Sequence, residues 1–126
     1  MPIAKKILLA DDDVMFAAMY HKAIQDAGFI VTEVHNGEDA ARIALAEKPD
    51  LVILDMNMPK KDGLSVLKEI RETDWGKNLP VIILTGNDTK NSDIPQLTVL
   101  HPTYYILKGS ETMDKFVEKI QELTRI

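Results

Sequence analysis

Two kinds of apolar segment alternate along this chain, and that alternation limits its fold more than any other feature. Five short runs are mostly apolar on consecutive residues: 6–10, 29–34, 51–54, 80–85 and 104–107. A run without polar alternation reads as a strand buried on both faces, the mark of a parallel sheet covered by helices. Between the runs the apolar spacing becomes helical. Residues 14–27 set Met15, Ala18, Met19, Ala23 and Ala27 on or near one face, with Asp13 as N-cap and Gly28 as C-cap. Residues 38–47 carry Ala40, Ala41, Ile43, Ala44 and Leu45, and residues 64–72 carry Leu64, Leu67 and Ile70. Residues 111–124 carry Phe116, Ile120 and Leu123, with Ser110 as N-cap. Strand and helix alternate, and right-handed crossovers then give a five-stranded parallel α/β sandwich. The stretch 87–102 fits least well. Pro95 and Pro102 bound only six residues, two of them, Thr98 and Val99, β-branched, so the fourth helix is expected to be short or irregular.

Composition narrows the classes. The chain's 126 residues fit one domain, 1–126. A net charge of −5 argues against direct binding to nucleic acid or to an anionic membrane. The absence of cysteine excludes disulfides and thiolate metal sites. No apolar run approaches the roughly 20 residues of a membrane span, and the N-terminus lacks the apolar stretch of a signal peptide. A cytoplasmic protein is expected. His21, His35 and His101 lack metal-ligand spacing and read as surface residues.

In an open α/β sheet, ligands bind beyond the carboxyl ends of the strands, where the strand order reverses. The first strand ends in Asp11-Asp12-Asp13, the third in Asp55-Met56-Asn57, the fourth in Thr85-Gly86 and the fifth in Lys108-Gly109. Acids, a hydroxyl and a cation should therefore meet in one crevice. Two carboxylates about 4 Å apart repel by roughly 4 kcal/mol at an effective dielectric near 20. Lys108 offsets one charge. A hard divalent ion would offset more, and an oxygen-only set with few protein ligands suits Mg²⁺. Such a pocket can hold a phosphoryl donor in line with a carboxylate nucleophile, because this transfer is mostly positioning and charge neutralisation.

These residues resemble the receiver domain family of response regulators along essentially the whole chain. The resemblance is carried by the acidic pair after Ile7-Leu8-Leu9-Ala10, by Leu54-Asp55-Met56-Asn57-Met58-Pro59 with Asp62-Gly63, by Leu84-Thr85-Gly86 and by Tyr105-Ile106-Leu107-Lys108. It implies a flavodoxin-like, doubly wound (βα)5 fold of strand order 2-1-3-4-5. It implies that Asp55 is phosphorylated by the phosphohistidine of a sensor histidine kinase or histidine phosphotransfer protein. Asp12 would bind Mg²⁺ directly, Asp11 mostly through water, and Asn57 through its backbone carbonyl. Lys108 would pair with Asp55 and then with the phosphate. Thr85 would bond a phosphate oxygen, and Tyr105 would swing inward as Thr85 moves. Asn57 and Asn87 occupy positions where the family tunes dephosphorylation. Two departures stand out: Gly109 follows Lys108 where the family usually has proline, and His101-Pro102-Thr103 replaces a small-residue pair before the fifth strand.

Three functions compete. The first is a phosphorylation switch that acts on a downstream protein or on an output domain outside this chain, with a homodimer through the last helices left open. The second is a phosphorylation-independent interaction module, a pseudo-receiver, which the departures favour and the intact acid, hydroxyl and lysine set opposes. The third is an aspartyl-phosphate phosphatase, which would want a second acid where Asn57 stands. The expectation is no enzyme activity beyond self-catalysed phosphoryl transfer and slow autodephosphorylation.

Overall fold

The structure, a computed structural model, describes residues 4–86 and 94–125. Ten elements alternate: β1 (Lys6–Ala10), α1 (Val14–Asp26), β2 (Ile30–Val34), α2 (Gly37–Glu47), β3 (Leu51–Asp55), α3 (Gly63–Arg71), β4 (Val81–Thr85), α4 (Ile94–Leu100), β5 (Tyr104–Leu107) and α5 (Met113–Thr124). All strand pairings are parallel, in the order β2-β1-β3-β4-β5. This is the doubly wound arrangement expected from the sequence.

The pleat divides the core into two layers. Leu8, Ala10, Val52, Leu54, Val81 and Ile83 face α2 and α3, with Leu97 and Leu100 of α4 packed alongside. Ile7, Leu9, Leu51, Ile53, Ile82 and Leu84 face α1 and α5. Each fully buried aliphatic side chain contributes about 1.5–3 kcal/mol of transfer free energy. The three central strands therefore form the stable platform on which the loops at their carboxyl ends are mounted.

Several local expectations need correction. Burial on both faces holds for β1, β3 and β4 but fails at the sheet edges, where β2 and β5 lie half-open to solvent. The buried face of α1 is Ala17, Tyr20 and Ile24, whereas Met15 is 81% exposed and Met19 50%. Tyr20 and Ile24, with Phe16 beside them, bury more apolar area than the alanine–methionine stripe, so they set the rotation of the helix. The N-cap of α5 is Thr112, whose hydroxyl accepts from the Lys115 N–H, and not Ser110, whose own N–H closes a turn onto the Leu107 carbonyl. Asp13 does cap α1, accepting from the amides of Met15 and Phe16 at 3.0 and 3.2 Å. Helix α4 is short, as expected, with seven residues described. Pro95 lies in its first turn, where the missing N–H is no loss. Beyond its last turn, His101 takes a left-handed φ of 38°.

Candidate functional site

The acids meet because of strand register. Ala10 of β1 is aligned with Leu54 of β3, so the next residues along each strand are Asp11 and Asp55. β1 lies between β2 and β3, and this is where the strand order reverses. Asp11, Asp12 and Asp55 each offer one carboxylate oxygen, and these oxygens lie within 4.8 Å of one another. Asp11 is fully buried and Asp55 is 4% exposed, whereas Asp12 is open to solvent. Asp12, Asp13, Asp55, Asn57, Gly86 and Lys108 line an open pocket of about 370 Å³.

Lys108 closes the group. Its Nζ lies 2.9 Å from Asp11 Oδ1 and 3.2 Å from Asp55 Oδ2, so it bridges both acids and is nearer to Asp11. Asp11 Oδ1 also accepts from the Asp13 amide at 2.9 Å. Asp11 Oδ2 is buried and has no hydrogen-bond partner. A buried carboxylate oxygen without a donor is costly. A hard cation would satisfy it, and the all-oxygen set fits such an ion.

Charge crowding shows in the ionisation of the group. The Asp55 carboxyl is pushed up to about 8, first by burial, then by the hydrogen bond to Asp12 and the charge of Asp11, with Lys108 opposing. Burial works against the charge on Lys108, but its hydrogen bond to Asp11 and the charges of Asp11 and Asp55 outweigh this and raise its pKa. Without a metal, the pocket holds a proton at neutral pH where three carboxylates crowd one ammonium.

Thr85 is buried at the end of β4, and the Lys108 amide donates to its carbonyl at 2.8 Å. Tyr105, 40% exposed, is aligned with Ile83, two residues before Thr85 and on the same sheet face. Gly86 leaves open space, since a Cβ there would meet nothing within 4 Å. Asn57 lines the pocket, while Asn87 lies outside the described residues.

Two glycines matter that sequence reasoning gave no task. A Cβ on Gly63, which opens α3, would come within 2.4 Å of the Asp55 carbonyl. A Cβ on Gly37, which opens α2, would come within 1.7 Å of the Lys61 carbonyl. Helix α2 thus presses on the loop 56–61. The only sequence signal was glycine directly after Asp62 and Asn36, each of which proves to be an N-cap.

The same fold recurs in known proteins. The family model for the response regulator receiver domain matches residues 7–121. The chain is 36% identical over 84 residues to the alkaline phosphatase synthesis transcriptional regulatory protein PhoP of Bacillus subtilis, covering 67% of this chain and 34% of that protein. It is 32% identical over 92 residues to the response regulator MprA of Mycobacterium ulcerans, covering 73% and 39%. The chain therefore spans well under half the length of these relatives. Among solved structures, the chemotaxis response regulator CheY4 of Vibrio cholerae superposes with a TM-score of 0.83 at 25% identity, covering 96% of this chain and 99% of that one. The Mn²⁺-bound form of the response regulator Rcp1 superposes with a TM-score of 0.79 at 27% identity, covering 97% and 96%. Among the described residues no helix is long and apolar enough to cross a membrane. With the doubly wound sheet, the acid cluster at its switch point and this match over most of its length, the chain belongs to the response regulator receiver domain family of two-component systems.

Proposed function

We propose that the domain accepts a phosphoryl group on Asp55 from the phosphohistidine of a sensor histidine kinase or histidine phosphotransfer protein. One observation carries the reading: Asp11, Asp12 and Asp55 converge within 4.8 Å beside a lysine that touches two of them. Asp11, Asp12 and Asp55, with the backbone carbonyl of Asn57, are the groups that would hold Mg²⁺. The ion would supply positive charge to the phosphoryl oxygens. The structural neighbour Rcp1 has been solved in a Mn²⁺-bound form, which supports divalent-ion binding in this fold.

A carboxylate oxygen of Asp55 attacks phosphorus, the P–N bond of the donor breaks, and its electron pair returns to the ring nitrogen. Lys108 starts between Asp11 and Asp55 and follows the charge onto the phosphate. Thr85, buried at the neighbouring strand end, donates its hydroxyl to a phosphate oxygen, and Tyr105 on the same sheet face repacks as Thr85 moves. The outer surface of β5 then differs between the two states. The receiver of that signal is a downstream protein or an output domain. The setting is the cytoplasm, with no direct contact with nucleic acid or membrane. Hydrolysis of its own acyl phosphate is the only turnover expected.

Incubation with Mg²⁺ and acetyl phosphate, followed by intact mass, tests the reading. One phosphoryl group should appear, and none in Asp55→Asn. A wild-type chain that stays unmodified would instead favour the phosphorylation-independent module.

A further inference from the structure

The crevice at the strand ends does not stop at the acids. A second open cavity, of about 430 Å³, is lined by Asp13, Phe16, Gly86, Leu107 and Lys108. Three of these, Asp13, Gly86 and Lys108, also line the pocket that holds Asp55. The two cavities therefore adjoin, and Gly86 puts no side chain between them. Their chemistry differs. Where the first has Asp12, Asp55 and Asn57, the second has the Phe16 ring and the Leu107 side chain. Phe16 stacks on Tyr20 at 6.2 Å and lies 5.2 Å from Lys108 Nζ. Leu107 is paired with Thr85 across β4 and β5 and is 43% exposed, an apolar side chain left open beside a charged pocket. The acid of this second cavity is Asp13. Its Oδ1 accepts from the amides of Met15 and Phe16, and a carboxylate has a second oxygen to offer.

A donor whose phosphorus sits at Asp55 must place its leaving group beside the phosphoryl group. Apolar and aromatic walls with one anion among them suit a flat, protonated heterocycle and repel an anion. We propose that Asp13, Phe16 and Leu107 form a leaving-group subsite, which takes the protonated imidazole ring of a phosphohistidine donor and selects it over acyl phosphates. This rests on the reading of Asp55 given above. The ring enters with a proton on the nitrogen that does not carry phosphorus, donates that N–H to Asp13 and lies against Phe16. As an Asp55 oxygen bonds to phosphorus, the P–N bond breaks and its electron pair returns to the ring. Neutral imidazole then leaves with its N–H in place. Acetyl phosphate would instead release acetate, an anion, beside Asp13.

The test compares N-phosphoimidazole with acetyl phosphate on the full chain with Mg²⁺, each reaction followed by intact mass. The ratio of the two rate constants cancels any effect on the metal or on Asp55 that both donors share. Asp13→Asn still caps α1 but loses the charge, and should lower the ratio about five- to tenfold, the factor between a charge-assisted and a neutral hydrogen bond. Phe16→Leu keeps an apolar wall without the ring, and should lower it about three- to tenfold. Leu107→Gln, at a half-exposed position that the fold tolerates, should lower it about threefold. A second measurement needs no phosphoryl transfer. In metal-free Asp55→Asn, imidazole added in mildly acid buffer should shift the NMR signals of the Phe16 ring and the Leu107 methyls, and Asp13→Asn should weaken that binding. A ratio unchanged in all three variants would overturn the proposal, and so would imidazole that moves neither signal. If the wild type takes a phosphoryl group from neither donor, the reading of Asp55 fails, and the imidazole titration alone decides the subsite.

Discussion

Replacing Asp55 by asparagine should stabilise the metal-free protein, and the gain should grow with pH. The folded carboxyl keeps its proton to about pH 8, against an ordinary value of 3.8 in the unfolded chain. Between these values the native state binds the extra proton, so this group's contribution to stability is full below about pH 4 and is lost as pH rises through 8. Each unit is worth about 1.4 kcal/mol. At pH 7 the interval from 3.8 spans about three units, or about 4 kcal/mol, similar to one carboxylate pair at 4 Å with an effective dielectric near 20. Asparagine removes this cost but gives up the 3.2 Å contact with Lys108. The net gain should be about 2–3 kcal/mol at pH 8 and near zero at pH 4.

Thermal unfolding in EDTA across pH 5 to 8.5 measures this, and a gain of that size is worth roughly 5–12 °C in Tm for a domain of this length. Saturating Mg²⁺ should reverse the order, because a cation bound to three carboxylates stabilises the wild type more than the variant. The reasoning is refuted if Asp55→Asn is no more stable than wild type in EDTA at pH 8, or if its advantage does not depend on pH.

Other perturbations follow from the same geometry. Gly37→Ala places a methyl 1.7 Å from the Lys61 carbonyl, so denaturant unfolding should show a loss of about 1–3 kcal/mol, and Mg²⁺ titration a weaker site as loop 56–61 shifts. Gly109→Ala meets no atom and suffers only its left-handed φ of +76°, so it should lose about 1–2 kcal/mol. Arg71 donates to the carbonyls of Leu100, Gly76, Leu79 and His101; Arg71→Met should lose about 2–4 kcal/mol in chemical denaturation, and Arg71→Lys should recover only part, because an ammonium cannot reproduce the planar fork. Lys108→Ala should leave Mg²⁺ binding in place, yet phosphorylated and unphosphorylated forms should then give nearly the same NMR shifts at Tyr105.

Much of this was legible in the sequence because it depends on local pattern and on strand ends. Five mostly apolar runs marked the five strands, and three of these, β1, β3 and β4, are buried on both faces. Asp11, Asp12, Asp55, Thr85 and Lys108 could be placed together because each ends a parallel strand. What escaped was set by packing between elements. The rotation of α1 depends on which side chains bury most area against α5, so Met15 and Met19 read as core from spacing alone but lie outside. His21 and His35 showed no motif, yet both reach Glu33, at 2.6 and 2.5 Å, because the edge strand brings α1 and the turn after β2 to one carboxylate. Gly37 and Gly63 carry no local signal of the atoms that press on them.

The site and the fold are stabilised by opposed demands. The register that brings Ala10 beside Leu54 gives the sheet its best-buried centre, and the same register forces Asp11 against Asp55 at its end. A chain selected for stability alone would break the acids there, since one neutral residue would relieve the repulsion. Three carboxylates around a single ammonium leave the pocket short of positive charge, and on the proposed reading a divalent cation from outside would supply it. On the proposed reading, the raised pKa of Asp55, set first by burial and then by Asp12 and Asp11, lets an incoming cation control when the carboxyl ionises.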